Sequence, residues 1–123
     1  MTVKASKKDM QYFVDQCASF NFRKAARAVT QLFDTALQPV GLRSTQLVIL
    51  LATGVHETTS LSELADHIVT DRTTLTRALK PLIKKGYLKN IAGKDKRTGS
   101  VVLTDKGHQV ILKSVPYWNR AQG

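Results

Sequence analysis

From Ser60 to Thr104 the chain reads as two short helices joined by a tight turn and followed by a basic, glycine-bounded hairpin. That order predicts a mainly α fold with a small β-hairpin, a winged helix-turn-helix of the α+β class, flanked by long N- and C-terminal helices. Three observations carry the prediction. In the stretch that opens Asp71-Arg72-Thr73-Thr74, Leu75, Leu79, Leu82 and Ile83 recur at helical spacing, while Thr73, Thr76, Arg77, Lys80 and Lys84 fall on the opposite face. Upstream, Ser60-Leu61-Ser62-Glu63 has the form of a capping box before an apolar face of Leu61, Leu64, Ala65 and Ile68, and only Val69, Thr70 and Asp71 separate the two helices. Downstream, Gly86 follows Lys84 and Lys85 as a helix stop, and strands over 87–91 and 100–103 bracket the basic loop 92–99.

The remaining elements follow the same logic. Residues 1–5 read as a frayed tail, and Ser6 can cap a helix. From Asp9 to about Leu37 apolar residues recur at helical intervals until Pro39 and Gly41 stop them, which predicts one helix of about 40 Å. Its aromatics, Tyr12, Phe13, Phe20 and Phe22, exceed what a small domain needs to cover itself and point to a partner chain; the alternative is that they are internal core. Ser44 can cap a helix through Leu47, Ile49, Leu50 and Leu51 to Gly54, apolar enough to be fully buried. Thr58 and Thr59 can supply a short third strand. Pro81 predicts a bend near 78–81, because proline removes a helical hydrogen bond. Thr104 can cap a last helix whose stripe of Val110, Ile111, Val115 and Trp118 is interrupted by Pro116.

At 123 residues the chain makes one domain. Its formal charge is +10, and between Asp71 and Lys106 ten Lys or Arg face three Asp, so +7 of that charge lies in the second helix and hairpin. Such concentration is the footprint of a polyanionic partner, whereas charge kept for solubility spreads more evenly. No stretch approaches the roughly 20 apolar residues of a membrane span, and the start lacks a signal peptide's apolar segment, so a cytoplasmic protein without a membrane partner is expected. Cys17 is the single cysteine, which fits a reducing compartment. Its neighbours offer no cation, and Phe13, Val14 and Phe20 predict that it is buried and inert, with redox sensing the lesser alternative. His56, His67 and His108 have no metal-ligand spacing and read as surface or partly buried; no cofactor or metal is expected. Asp66 with His67, or Asp105 with His108, come without a nucleophile motif or phosphate loop, so no catalytic residues are assigned.

The second helix has the chemistry of a DNA reader. Arginine offers paired donors to guanine O6 and N7, and threonine hydroxyls reach phosphates or bases. The candidates on this helix are Arg72, Thr73, Thr74, Thr76 and Arg77, with Lys80 on the DNA backbone. In the wing they are Lys94, Asp95, Lys96 and Arg97, and Lys89 and Lys106 add phosphate contacts. A winged module used for protein contact, as an adaptor without specific DNA binding, is the alternative. It gives no reason to gather cations at Arg72, Arg77, Lys94, Lys96 and Arg97.

Asp71-Arg72-Thr73-Thr74-Leu75-Thr76-Arg77, Lys85-Gly86-Tyr87-Leu88, Asp95-Lys96-Arg97 and Leu103-Thr104-Asp105-Lys106-Gly107 together resemble the MarR family of transcriptional regulators. Upstream, Asn21 to Arg27, Gly41-Leu42 and Gln46-Leu47 resemble that family's first two helices, so the likeness covers nearly the whole chain in order. It implies a single domain over 1–123, with dimerisation helices over about 6–38 and 104–123, a winged DNA-binding core over about 44–103 and a wing at 92–99. It also implies a homodimer on a pseudo-palindromic double-stranded operator, Arg97 as the wing arginine in the minor groove, and Asp95 orienting an arginine. Repression relieved by a small aromatic or phenolic effector is implied too, in a pocket where the first helix meets the second and the last. The sequence departs from the family where such chains continue past the equivalent of residues 118–122 into a further helix, which puts dimer stability in question.

Overall fold

The computed structural model describes residues 2–57, 59–91 and 99–123. In chain order these form α1 (Lys7–Gln16), α2 (Ala18–Leu37), a 3-10 turn (Gln38–Val40), α3 (Ser44–Val55), β1 (Thr59–Ser60), α4 (Leu61–His67), α5 (Arg72–Lys84), β2 (Leu88–Ile91), β3 (Ser100–Leu103) and α6 (Asp105–Gln122). The strands make one antiparallel sheet in the order β1-β3-β2, with Leu88 opposite Leu103 and Ile91 opposite Ser100. Thr59 pairs with Val101, which supplies the expected third strand; Thr58 lies outside the described residues.

The core forms where α3, α4, α5 and the sheet close on one another. Leu37, Leu50, Leu64, Leu75, Leu82, Leu88 and Val101 are fully buried there. Two polar side chains share the interior and each satisfies itself within its own helix: Thr53 Oγ1 donates to Ile49 O at 2.7 Å and Ser114 Oγ to Val110 O at 2.7 Å. Among the described residues no helix is long and apolar enough to cross a membrane.

The single helix expected over 9–37 is two helices. Cys17, with φ −75° and ψ 110°, ends α1 and begins α2. Asn21 holds the break, its side-chain amide donating to Val14 O and Cys17 O at 2.9 Å each, so the Val14 carbonyl near the end of α1 is paired. Periodicity could not locate the break, because the apolar spacing continues across it. Nor is this region buried. Cys17 is exposed, as are Val14 and Phe20, and Phe13 and Phe22 are 67% and 76% exposed, so the expected inert core cysteine is not found.

Helix α3 also differs in detail. Its N-cap is Arg43 rather than Ser44: Arg43 N–H donates to Gln46 Oε1 at 3.0 Å, and Ser44 N–H donates to Asp34 Oδ1 at 2.7 Å. The helix is not buried all round, since Val48 and Leu51 face outward while Leu47, Ile49 and Leu50 face the core. Helix α5 runs as one element through Pro81, and α6 likewise runs through Pro116 without interruption.

The start of α6 is tied to the base of the hairpin. Thr104 N–H donates to Tyr87 O at 3.1 Å, Thr104 Oγ1 donates to Gly86 O, and the same oxygen accepts from Gly107 N–H at 3.0 Å. A methyl on Gly107 would overlap the Tyr87 carbonyl and crowd Leu103 Cδ1 at 2.7 Å. In an open helix Gly→Ala gains up to about 1 kcal/mol, but here overlap with backbone opposes it. Gly107→Ala is therefore expected to destabilise the protein by about 1–3 kcal/mol, read as a lower urea midpoint at unchanged slope. A raised midpoint would mean that α6 is not held against Tyr87.

Candidate nucleic-acid interface

Asp71 starts the candidate reader helix. Its Oδ1 accepts from Thr74 N–H at 2.7 Å and its Oδ2 from Thr74 Oγ1 at 2.8 Å. These bonds, the backbone one foremost, hold the Asp71 carboxyl below its usual range, so it stays ionised at the positive end of the helix. The other end closes as cleanly. Tyr87 N–H donates to Leu82 O and Gly86 N–H to Ile83 O, both at 3.0 Å, with Gly86 at φ 82° where side chains are disfavoured. Between these caps Leu75, Leu79 and Leu82 are buried.

The turn before α5 uses Val69 at φ 56°, and Thr70 N–H donates to Ala65 O at 2.9 Å. With α4 seated by Leu64 and Ala65, and with Ser60 Oγ accepting from Glu63 N–H at 3.1 Å, the two helices form the expected helix-turn-helix.

Arg72, Thr73, Thr74, Thr76, Arg77 and Lys80 are all exposed on α5, but their chemistry differs. Thr73, Thr76, Arg77, Lys80 and Lys84 share one face at about 100° per residue. Thr76 Oγ1 donates to Arg72 O at 2.8 Å, and Thr74 Oγ1 is spent on Asp71. Each of those hydroxyls therefore meets an outside group as an acceptor, which suits a base amino group better than a phosphate. Thr73, Arg77 and Lys80 remain as donors. The wing candidates Lys94, Asp95, Lys96 and Arg97 lie outside the described residues; what is described is the hairpin that carries them, closed against α4 by Leu61 N–H donating to Gly99 O at 3.1 Å. Lys89 is exposed on β2, while the Lys106 ammonium lies 5.6 Å from the centroid of the Tyr87 ring.

Behind the reader lies a cavity of about 360 Å³, lined by Thr30 of α2, Ser44, Thr45, Val48 and Ile49 of α3, the turn residues Ile68, Val69 and Thr70, and Thr74, Leu75 and Ala78 of α5. It lies where α2 meets α3, as expected, but its remaining wall is the reader and its turn rather than the last helix. Sequence spacing could not find it, because its walls come from four separate segments. His56 and His67 are exposed and stack on each other, with centroids 3.8 Å apart and planes at 5°, a pairing that their spacing does not signal. Among the described residues no three His, Cys, Asp or Glu come together as a metal site.

The MarR family model matches residues 42–98, from just before α3 to a point short of β3. The chain is 39% identical to the M. tuberculosis transcriptional regulator MosR, whose structure in complex with DNA superposes with a TM-score of 0.80 over 87% of this chain and 78% of that one. The chain belongs to the MarR family. It is also 32% identical over 92 residues to the HTH-type transcriptional regulator SarZ of Staphylococcus saprophyticus, covering 74% of this chain and 63% of that relative. The DNA-bound structure of reduced AbfR is 25% identical, with a TM-score of 0.77 over 91% of this chain and 82% of AbfR. Helix α5 and its Asp71 cap lie within the residues that the MarR family model matches.

Because Asp71 is held ionised by the fold, its contribution to stability is present above the ordinary carboxylate range and is lost as pH falls through and below it. Asp71→Asn keeps a side-chain oxygen for the cap but has no charge to titrate. The stability gap between wild type and Asp71→Asn is expected to be constant near neutrality and to narrow in acid, followed by urea unfolding at several pH values. A gap that widens in acid would contradict the assigned cap.

Proposed function

We propose that the protein is a sequence-specific, ligand-responsive repressor that binds a pseudo-palindromic operator as a homodimer. The observation that carries this reading is the division of α5: three leucines buried on one side, and Thr73, Thr76, Arg77, Lys80 and Lys84 presented together on the other. A helix so divided fits a major groove, with Arg77 towards base edges and Lys80 towards phosphate. Likeness to DNA-bound MosR supports the same placement. The wing, with Lys94, Lys96 and Arg97, would follow the adjacent minor groove, where an inserted arginine gains most if the groove is narrow, and Asp95 would orient an arginine. A second copy of the chain would cover the exposed aromatics of α1 and α2 and the outward Val115 and Trp118 of α6, setting two readers about one DNA turn apart. An effector in the cavity behind α5 would act by favouring one spacing of the readers over the other.

Fluorescence anisotropy of the protein against its own promoter fragment and a scrambled duplex, across salt concentrations, tests this. Arg77→Ala is expected to lose about 1–3 kcal/mol and to relax specificity, whereas Lys80→Ala should weaken both duplexes alike and reduce the salt slope by about one. Equal, weak binding to both duplexes, unchanged by Arg77→Ala, would reject the reader and favour a protein-contact module.

A further inference from the structure

The cavity behind the reader has an unusual lining for a strongly basic protein. It presents five hydroxyl side chains, Thr30, Ser44, Thr45, Thr70 and Thr74, with apolar side chains completing its walls, and none of its lining residues is ionisable. Two helix N-termini adjoin it, that of α3 at Ser44 and that of α5 near Thr74, and such termini ordinarily attract anions. Here each is already satisfied by a carboxylate of the protein itself. Ser44 N–H donates to Asp34 at 2.7 Å, and Thr74 gives both its N–H and its hydroxyl to Asp71 at 2.7 and 2.8 Å. The hydroxyls of Thr30, Ser44, Thr45 and Thr70, by contrast, have no hydrogen-bond partner among the described residues.

We propose that this cavity takes an uncharged effector, an amide- or hydroxyl-bearing small molecule on an apolar frame, and discriminates against carboxylates. The proposal rests on the ligand-responsive reading above and names the chemical class of its ligand. A carboxylate entering here would meet no cation among the lining residues, and the amides of Ser44 and Thr74 at the two helix starts are already held by Asp34 and Asp71. Moving an unpaired charge even partly out of water is costly. The +10 of the whole chain pulls the other way, but that field is screened over about 8–10 Å in physiological salt, whereas the desolvation cost falls on the ligand at contact. A neutral amide meets a better match: hydroxyls donate to its carbonyl and accept from its NH2, while Val48, Ile49, Ile68 and Leu75 cover the frame. Since Thr74, Leu75 and Ala78 belong to α5, occupancy bears directly on the seat of the reader.

Matched neutral and anionic pairs test this on the full chain: salicylamide against salicylate, benzamide against benzoate, and 4-hydroxybenzamide against 4-hydroxybenzoate. Thermal shift and calorimetric titration read binding, and anisotropy reads release of the promoter fragment. At least one amide is expected to bind saturably and on the order of tenfold or more tighter than its carboxylate. Val48→Trp, which fills the cavity from a half-exposed position, should abolish the amide's effect while ligand-free promoter binding persists. Thr45→Arg, which supplies the missing cation, should bring carboxylate binding up to or above that of the amide. Saturable binding by none of the amides, a carboxylate binding wild type as tightly as its amide, or an amide effect that survives Val48→Trp would each overturn the proposal. Promoter affinity without ligand reports separately on the DNA-reading assignment, so the two fail independently.

Discussion

The structure depends first on the seating of α5. Leu75, Leu79 and Leu82 sit on one side of the helix and are buried against the core that α3, α4 and the sheet complete. Burial of a leucine contributes roughly 1.5–3 kcal/mol, so three together fix the rotation of the helix about its axis far more firmly than any surface contact could. Once that rotation is set, Arg77 and Lys80 have no choice but to face solvent. The caps then set its ends, with Asp71 at one and the turn through Gly86 at the other. The cationic face is thus a by-product of how the apolar face is satisfied.

The threonines of α5 show how one residue type is divided among tasks. Thr74 serves the cap and the cavity, Thr76 bonds back to its own helix, and Thr73 keeps its hydroxyl for whatever approaches. Carboxylates are divided similarly. Asp34 and Asp71 each occupy a helix N-terminus beside the cavity, which neutralises the two places where an anion would otherwise settle. A chain with a large positive charge therefore keeps this partly open pocket free of ionisable lining.

Between the reader and the outlying helices the connection is short and direct. Tyr87 N–H donates to Leu82 O and the Tyr87 carbonyl accepts from Thr104 N–H, while Thr104 Oγ1 donates to Gly86 O and caps α6. Gly107 lets α6 approach that carbonyl closely. The last helix and α5 thus share a backbone junction at Gly86, Tyr87 and Thr104. At the opposite end, the break at Cys17 leaves α1 as an arm with no buried residue of its own.

What the sequence by itself determined is the part governed by local rules. The spacing of Leu75, Leu79 and Leu82 set the buried face of α5, and the types of Ser60, Asp71, Gly86 and Thr104 set helix ends, because capping and periodicity act within a few residues. The MarR resemblance could be read for the same reason: its signature lies in contiguous motifs. Tertiary structure alone decided the rest. The bend at Cys17 depends on Asn21 reaching back across it, and the cap of α3 passed from Ser44 to Arg43 because Asp34, ten residues away, takes the Ser44 amide. The stack of His56 on His67 and the hydroxyl-lined cavity each join segments that no spacing rule connects. Such features follow from distances in space between residues remote in the chain, and those distances exist only once the leucines of α5 have found their place.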